Sequence, residues 1–144
     1  MLEEVLEVAR GLHPVQLAHG GLGSAVRALA ARSPIEVDLD VDIDTRPPAP
    51  IETAAYYVVS EALANATKHS GASRISVTVA ADEKVLRATI ADDGSGGAVV
   101  GAGSGLTGLN DRVEALGGRF LLVSPRGGGT TMSIELPLGA PAAL

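Results

Sequence analysis

The sequence predicts a two-layer α/β sandwich, a mixed β-sheet with helices on one face. Three observations predict it. Apolar residues recur at helical spacing in separate stretches, near 2–12, 22–33, 51–70 and 106–116. Between these, apolar and polar residues alternate at period two, near 35–43, 75–92 and 120–136. Most strands come in pairs joined by short turns, and one strand carries an acidic, wet outer face, so the helices have one side to cover.

The chain has 144 residues, one domain by size, able to bury about two-thirds of its unfolded surface. Only Tyr56, Tyr57 and Phe120 are aromatic, so the core must be built in thin layers from Val, Leu, Ile and Ala. A net charge of −6 with scattered Lys and Arg argues against a nucleic-acid surface. Cysteine is absent, which excludes disulfides and thiolate metal sites. No apolar run reaches the roughly 20 residues of a membrane span, so direct membrane contact is not expected. The start, MLEEVLEVAR, lacks the basic and apolar regions of a signal peptide, and the expected location is cytoplasmic.

Leu2, Val5, Leu6 and Ala9 give a helical end that stops at His13-Pro14 and reads as the tail of a longer upstream segment. Leu22, Ala25, Val26, Leu29 and Ala30 mark a second helix, ended near Ser33-Pro34. Ile35, Val37, Leu39, Val41 and Ile43 alternate with five carboxylates in a strand. Calcium would need these oxygens around a curved loop; spread along one face they are better suited to discouraging edge pairing. Thr45 to Pro50 is a stiff connector into the helix that runs from Ile51 to Ser70 and ends at Gly71.

On that helix Glu61, Asn65 and Lys68 fall at roughly 0°, 40° and −20° around the axis, so an acid, an amide and an ammonium share one stripe. Ala55, Val59, Ala62 and Ala66 form a neighbouring apolar stripe of small residues that can lie close on a sheet. A hairpin follows from Ile75 to Asp92. Leu86, Ala88, Ile90 and Asp92 share one face of its second strand, so Asp92 points inward and needs a partner. The loop from Gly94 to Gly108 has seven glycines and little to pack, and is expected to move unless a ligand orders it. Leu106, Leu109, Val113 and Leu116 give another helix, closed by Gly117-Gly118. The strand Phe120–Val123 and a last strand with Thr130, Met132, Ile134 and Leu136 inward complete the chain.

Gly103-Ser104-Gly105-Leu106-Thr107-Gly108 fits G-x-G-x-x-G, but a dinucleotide fingerprint needs a tight turn straight after a parallel strand and an acidic residue about 20 residues on. A long loop precedes these glycines and Ser124-Pro125 stands at that distance. No P-loop motif occurs.

Each remaining piece alone has an ordinary reading as surface charge or tight turn; their order is what carries information. E-A-L-A-N-A-T-K-H on a helix, D-D-G-S-G after a strand, G-S-G-L-T-G-L before a helix and G-G-T-T before the last strand resemble the boxes of the GHKL ATPase superfamily. The closest resemblance is to the catalytic and ATP-binding domain of bacterial sensor histidine kinases. LHPVQLAHGGLGSAVRALA and GLTGLNDRVEALGGRF are similar to the branch that includes nitrate sensors, and the likeness runs from Leu12 to Pro137.

The resemblance implies a Bergerat-type ATP-binding fold with ATP and magnesium (Mg2+) as ligands. It implies Asn65 as the metal ligand, Lys68 toward phosphate, His69 in either a phosphate contact or a structural hydrogen bond, and Glu61 as the catalytic residue that polarises the nucleophile. Asp92 would accept the adenine amine, with Gly94 and Gly96 close to the base and Thr130 supporting it. Gly103, Gly105 and Gly108 would hinge a lid, and the amides from Leu106 onward would face the phosphates. By the same resemblance, residues 1–12 are the tail of an upstream helical dimerisation segment, 13–138 the ATP-binding catalytic domain and 139–144 a tail.

The implied partners are a helical dimerisation and phosphoacceptor domain, a response regulator and a second copy of the full-length protein. The acceptor histidine itself does not fit this chain: His13 precedes a proline and His19 precedes Gly20-Gly21. An anti-sigma-factor-type Ser/Thr kinase, or a non-catalytic nucleotide-dependent interaction module of the same fold, is the alternative.

Overall fold

The computed structural model of the protein describes residues 15–44, 46–68, 71–97 and 105–139. The elements follow in the order α1 (Val15–Ala31), β1 (Glu36–Ile43), α2 (Ala49–Lys68), β2 (Arg74–Ala81), β3 (Val85–Asp92), α3 (Gly105–Ala115), β4 (Arg119–Val123) and β5 (Thr130–Pro137). Five strands form one sheet in the order β1-β2-β3-β5-β4. β1 is parallel to β2 and every other pair is antiparallel, so the sheet is mixed as expected. The helices form the second layer. α2 lies on β2, β3 and β5, flanked by α1 near β1 and by α3 near β4.

The small residues of α2 set the spacing of the two layers. Ala54, Ala55, Ala62 and Ala66 are buried, together with Val58 and Val59. They meet Ile75, Val77, Val79, Leu86, Ala88, Ile90, Met132, Ile134 and Leu136 from the sheet in one cluster. Because alanine adds no bulk beyond its methyl group, the helix approaches the sheet closely, and a larger side chain there would cost about 1–3 kcal/mol in strain.

The helix expected from Leu22 is the second piece of a longer α1. Its first piece starts at Val15, and Gly21, at φ 77° and ψ −175°, breaks the helical path between them. The residues 2–12, read as a helical end, lie outside the described residues.

α2 starts at Ala49, inside the stretch expected to be a connector. Proline is tolerated in the first helical turn because no intrahelical donor is lost there. The Pro48 carbonyl accepts from the N–H groups of Ile51 and Glu52, both at 3.0 Å, which closes the first turn over Pro50. α3 ends as its Gly117-Gly118 pair predicts. The Gly118 N–H donates to the Val113 carbonyl and the Gly117 N–H to that of Glu114, both at 2.9 Å, with Gly117 at φ 80°.

β1 has the predicted alternation, but its inward residues are only half-buried. The cause is position: β1 is an edge strand, with a single strand neighbour. Its carboxylates face solvent, and Arg74 on β2 pairs with Asp38 at 2.7 Å and Glu36 at 3.3 Å. That arginine holds the Asp38 carboxyl below its usual value, first through the side-chain hydrogen bond.

Candidate functional site

The chain path gathers the candidate residues at one end of the sheet. β1 and β2 are parallel, so α2 returns antiparallel to both, and its last turn lies where β2 begins. β3 runs back to the same end and places Asp92 opposite Ile75. β5 starts there, with Thr130 opposite Asp92. The loop toward α3 leaves from this end too.

On α2, Glu61 and Asn65 are half-buried and Lys68 is exposed, while the neighbouring stripe of Ala55, Val59, Ala62 and Ala66 is buried. Among the described residues, no side chain forms a hydrogen bond or ion pair with any of the three. The polar stripe therefore borders the core with its groups unspent, which suits it to a ligand. Lys68 also reaches the rim of a groove of about 250 Å³ between α1 and α2, lined by Leu29, Pro34, Leu63 and Thr67.

Asp92 is half-buried at the end of β3. Its Oδ1 accepts from the Gly94 N–H at 2.8 Å, which turns the chain and leaves Oδ2 without a partner among the described residues. Its neighbour does the opposite. Both Asp93 oxygens are occupied, Oδ1 by the N–H groups of Ser73 (2.8 Å) and Arg74 (3.1 Å), Oδ2 by the Ser73 hydroxyl (2.7 Å). These bonds, that of the Ser73 hydroxyl first, hold the Asp93 carboxyl below its usual value. One aspartate pins the segment between α2 and β2; the other keeps one oxygen open.

Thr130 is buried, and its hydroxyl lies 2.6 Å from that of Ser124. Gly94 and Gly96 are half-buried in the loop after β3. Leu106 belongs to the core at 3% exposure, so a ligand could meet only its backbone. Gly105 opens α3, and Gly108 on its surface has nothing near its α-carbon's free side. Gly103 and His69 lie outside the described residues.

Two further features were not foreseen. Glu52 is 1% exposed; its Oε2 accepts from the Leu22 N–H at 3.0 Å, and both its oxygens face the Arg46 Nε at 3.3 Å. It caps the second piece of α1 where Gly21 interrupts the helix. Its angle on the α2 wheel, roughly 180° from Glu61 and next to the apolar stripe, was the available signal. Arg112 of α3 lies 5.1 Å from the ring centroid of Tyr57, one turn before Glu61 on α2. That contact ties α3 to the polar stripe.

The sheet end thus brings an inward aspartate and the glycines after it beside a helix bearing an acid, an amide and a lysine. Residues 51–140 match the family described as histidine kinase-, DNA gyrase B-, and HSP90-like ATPase. The chain belongs to this family.

The sensor histidine kinase NarS of Mycobacterium tuberculosis is 37% identical over 94% of the chain and 34% of its own length. The sensor histidine kinase LiaS of Bacillus subtilis is 29% identical over 88% of the chain and 37% of its length. The chain thus spans about a third of the curated relatives it matches. The histidine kinase domain of the blue-light activated histidine kinase EL346 from Erythrobacter litoralis shares the fold, with a TM-score of 0.63 at 24% identity. That match covers 81% of this chain and 59% of the other. No helix among the described residues is long and apolar enough to cross a membrane.

Proposed function

We propose that the chain is the ATP-binding catalytic domain of a two-component sensor histidine kinase, which donates the γ-phosphate of ATP to a histidine on a helical partner. The observation that carries this reading is the placement of Asp92 and Thr130 opposite one another at the sheet end beneath the last turns of α2. The family match and the two sensor-kinase relatives support it.

The residues present fit an adenine nucleotide and magnesium. The unpartnered Oδ2 of Asp92 is an acceptor for the exocyclic amine, while guanine offers a carbonyl there and would be repelled. The amide oxygen of Asn65 is a hard donor of the kind magnesium prefers, and would hold the metal. Lys68 contributes a positive charge one turn on, and the first amides of α3, from Leu106, suit an anion.

Bound magnesium supplies charge neutralisation to the phosphates. The residues do the rest: Asp92 fixes the base, Lys68 and the start of α3 orient the phosphate chain, and Glu61 takes the proton from the attacking imidazole. His69 next to Lys68, and the lid hinged at Gly103, Gly105 and Gly108, complete the assignment. Residues 1–12 lead to the dimerisation segment, 13–138 form the working domain, and 139–144 are a tail. The full-length protein works as a homodimer, relays the phosphoryl group to a response regulator, and keeps this domain on the cytoplasmic side.

The test is incubation with labelled ATP and magnesium, with and without a histidine-bearing helical acceptor domain. Label on the acceptor histidine is expected. Tight ATP binding with label on serine or threonine instead would show a different kinase class.

A further inference from the structure

The turn between β4 and β5 lies outside the residues assigned above, yet it holds the loop that follows Asp92. The Gly97 N–H donates to the Ser124 carbonyl at 2.8 Å, and the Gly127 N–H donates to the Ser95 carbonyl. Between these two bonds the backbones are in direct contact. Gly96 adopts φ 71°, and a Cβ there would collide with the Pro125 carbonyl oxygen. Gly129 adopts φ 77°, and a Cβ there would collide with the carbonyl oxygen of Asp92 itself. An L side chain at either position would face both a strained backbone and an occupied space.

Ser124 joins this clasp to the buried end of the site. Its carbonyl holds Gly97, and its hydroxyl bonds that of Thr130, which is 7% exposed and stands opposite Asp92 in the sheet. A single residue at the end of β4 therefore touches both chain segments that define where the Asp92 carboxylate stands. We propose that Ser124 is a positioning residue for adenine recognition, and that the β4–β5 turn acts as the brace of the base-binding loop. It acts through Thr130 and Gly97 and need not touch the nucleotide. The inference rests on the adenine-site reading of Asp92.

A brace has a distinct signature. Without the Ser124 hydroxyl, Thr130 loses its partner opposite Asp92, while the backbone bond from Gly97 and the phosphate end, built from α2 and the start of α3, are unaltered. The loss should therefore fall on ATP and spare ligands that do not use the base.

The experiment measures ATP, GTP and tripolyphosphate binding to the 144-residue chain by calorimetry with magnesium, for the unsubstituted chain, Ser124→Ala and Ser124→Thr. Loss of one hydrogen bond of ordinary strength predicts a rise in the ATP dissociation constant of about 5- to 10-fold for Ser124→Ala. Tripolyphosphate and GTP binding should hold, and the thermal midpoint without nucleotide should fall only by what one unpaired Thr130 hydroxyl costs. Ser124→Thr, which keeps a hydroxyl, should restore ATP affinity.

Unchanged ATP affinity in Ser124→Ala would overturn the inference. So would an equal loss for all three ligands, which is the mark of a general structural role. If the unsubstituted chain bound ATP no better than GTP, the adenine reading of Asp92 would itself fall, before any variant was compared.

Discussion

The two ends of α2 are built to opposite rules. At the N-terminal end the one buried charge, Glu52, is fully engaged by the Leu22 N–H and the Arg46 guanidinium, and Pro48 closes the first turn. At the other end Asn65 and Lys68 have no side-chain partner among the described residues, and Asp92 across the layer keeps one oxygen unspent. Both ends carry polar groups at the margin of the same core. The closed end spends them on holding α1 to α2; the open end leaves them available. A protein does not leave half-buried polar groups without partners for stability's sake, since each costs free energy until something pairs with it.

The largest expected effect lies at the open end. Glu61→Ala should bind ATP normally and transfer phosphate to a supplied acceptor about 10²- to 10⁴-fold more slowly. Undiminished transfer would remove Glu61 from the chemistry. Next, Asp92→Asn presents an amide that can turn either its oxygen or its N–H groups toward the base and removes the negative charge. A loss of ATP affinity of about 10²-fold is expected by calorimetry, the worth of a hydrogen bond to a charged group in a low-dielectric site.

At the closed end the effect should appear in stability and not in binding. Glu52→Ala leaves the Leu22 N–H unpaired and a cavity beside it, at a cost of about 2–3 kcal/mol in urea unfolding. Arg46 is half-exposed, so its share of the ion pair adds little to that sum. ATP affinity of the folded fraction should stay within about twofold, because distant sites act independently. A large affinity loss in Glu52→Ala would break the contrast between the two ends.

The smallest effect concerns Asp93. Its carboxyl titrates below its usual 3.8 in the folded chain, so its bonds to Ser73 and Arg74 contribute stability above the unfolded value. That contribution fades as the pH drops past the unfolded value and is lost through the lower folded one. The urea midpoint should fall as the pH drops past the unfolded value and through the lowered folded one, and Asp93→Asn should make the fall shallower. An unchanged acid limb would show that Asp93 does not hold the α2–β2 segment.

The sequence was most legible where one period dominates. Alternation in β1, β2, β3 and β5, and helical spacing in α2 and α3, predicted both the elements and the faces they bury. The inward position of Asp92 came from period two alone, and the structure adds why Asp93 is different: it faces the other way, toward Ser73. Less was visible where the determining contact is between distant segments. Gly20-Gly21 marks a break locally but does not show that the break falls inside a longer α1, because the group that makes it tolerable is the Glu52 carboxylate from another helix. α2 starts earlier than expected because the three prolines of Thr45 to Pro50 look like a connector, although the first helical turn accepts Pro50. The role of Ser124 depends on a hairpin turn meeting a loop from elsewhere in the chain, and no spacing within β4 or β5 records that meeting.

The register between β3 and β5 bears on how the protein folds. β2–β3 and β4–β5 are hairpins that close over short loops, whereas β3 and β5 come from separate parts of the chain and must pay a larger loop-closure entropy. Asp92 and Thr130 are partners in that late, non-local pairing. A nucleotide bound across it as proposed would bind the native state in preference to the unfolded chain, and at 100 times its dissociation constant would add about 2.7 kcal/mol to stability. If the pairing forms after the transition state, saturating ATP will slow unfolding and leave the folding rate unchanged, which denaturant-jump kinetics can read from the two limbs.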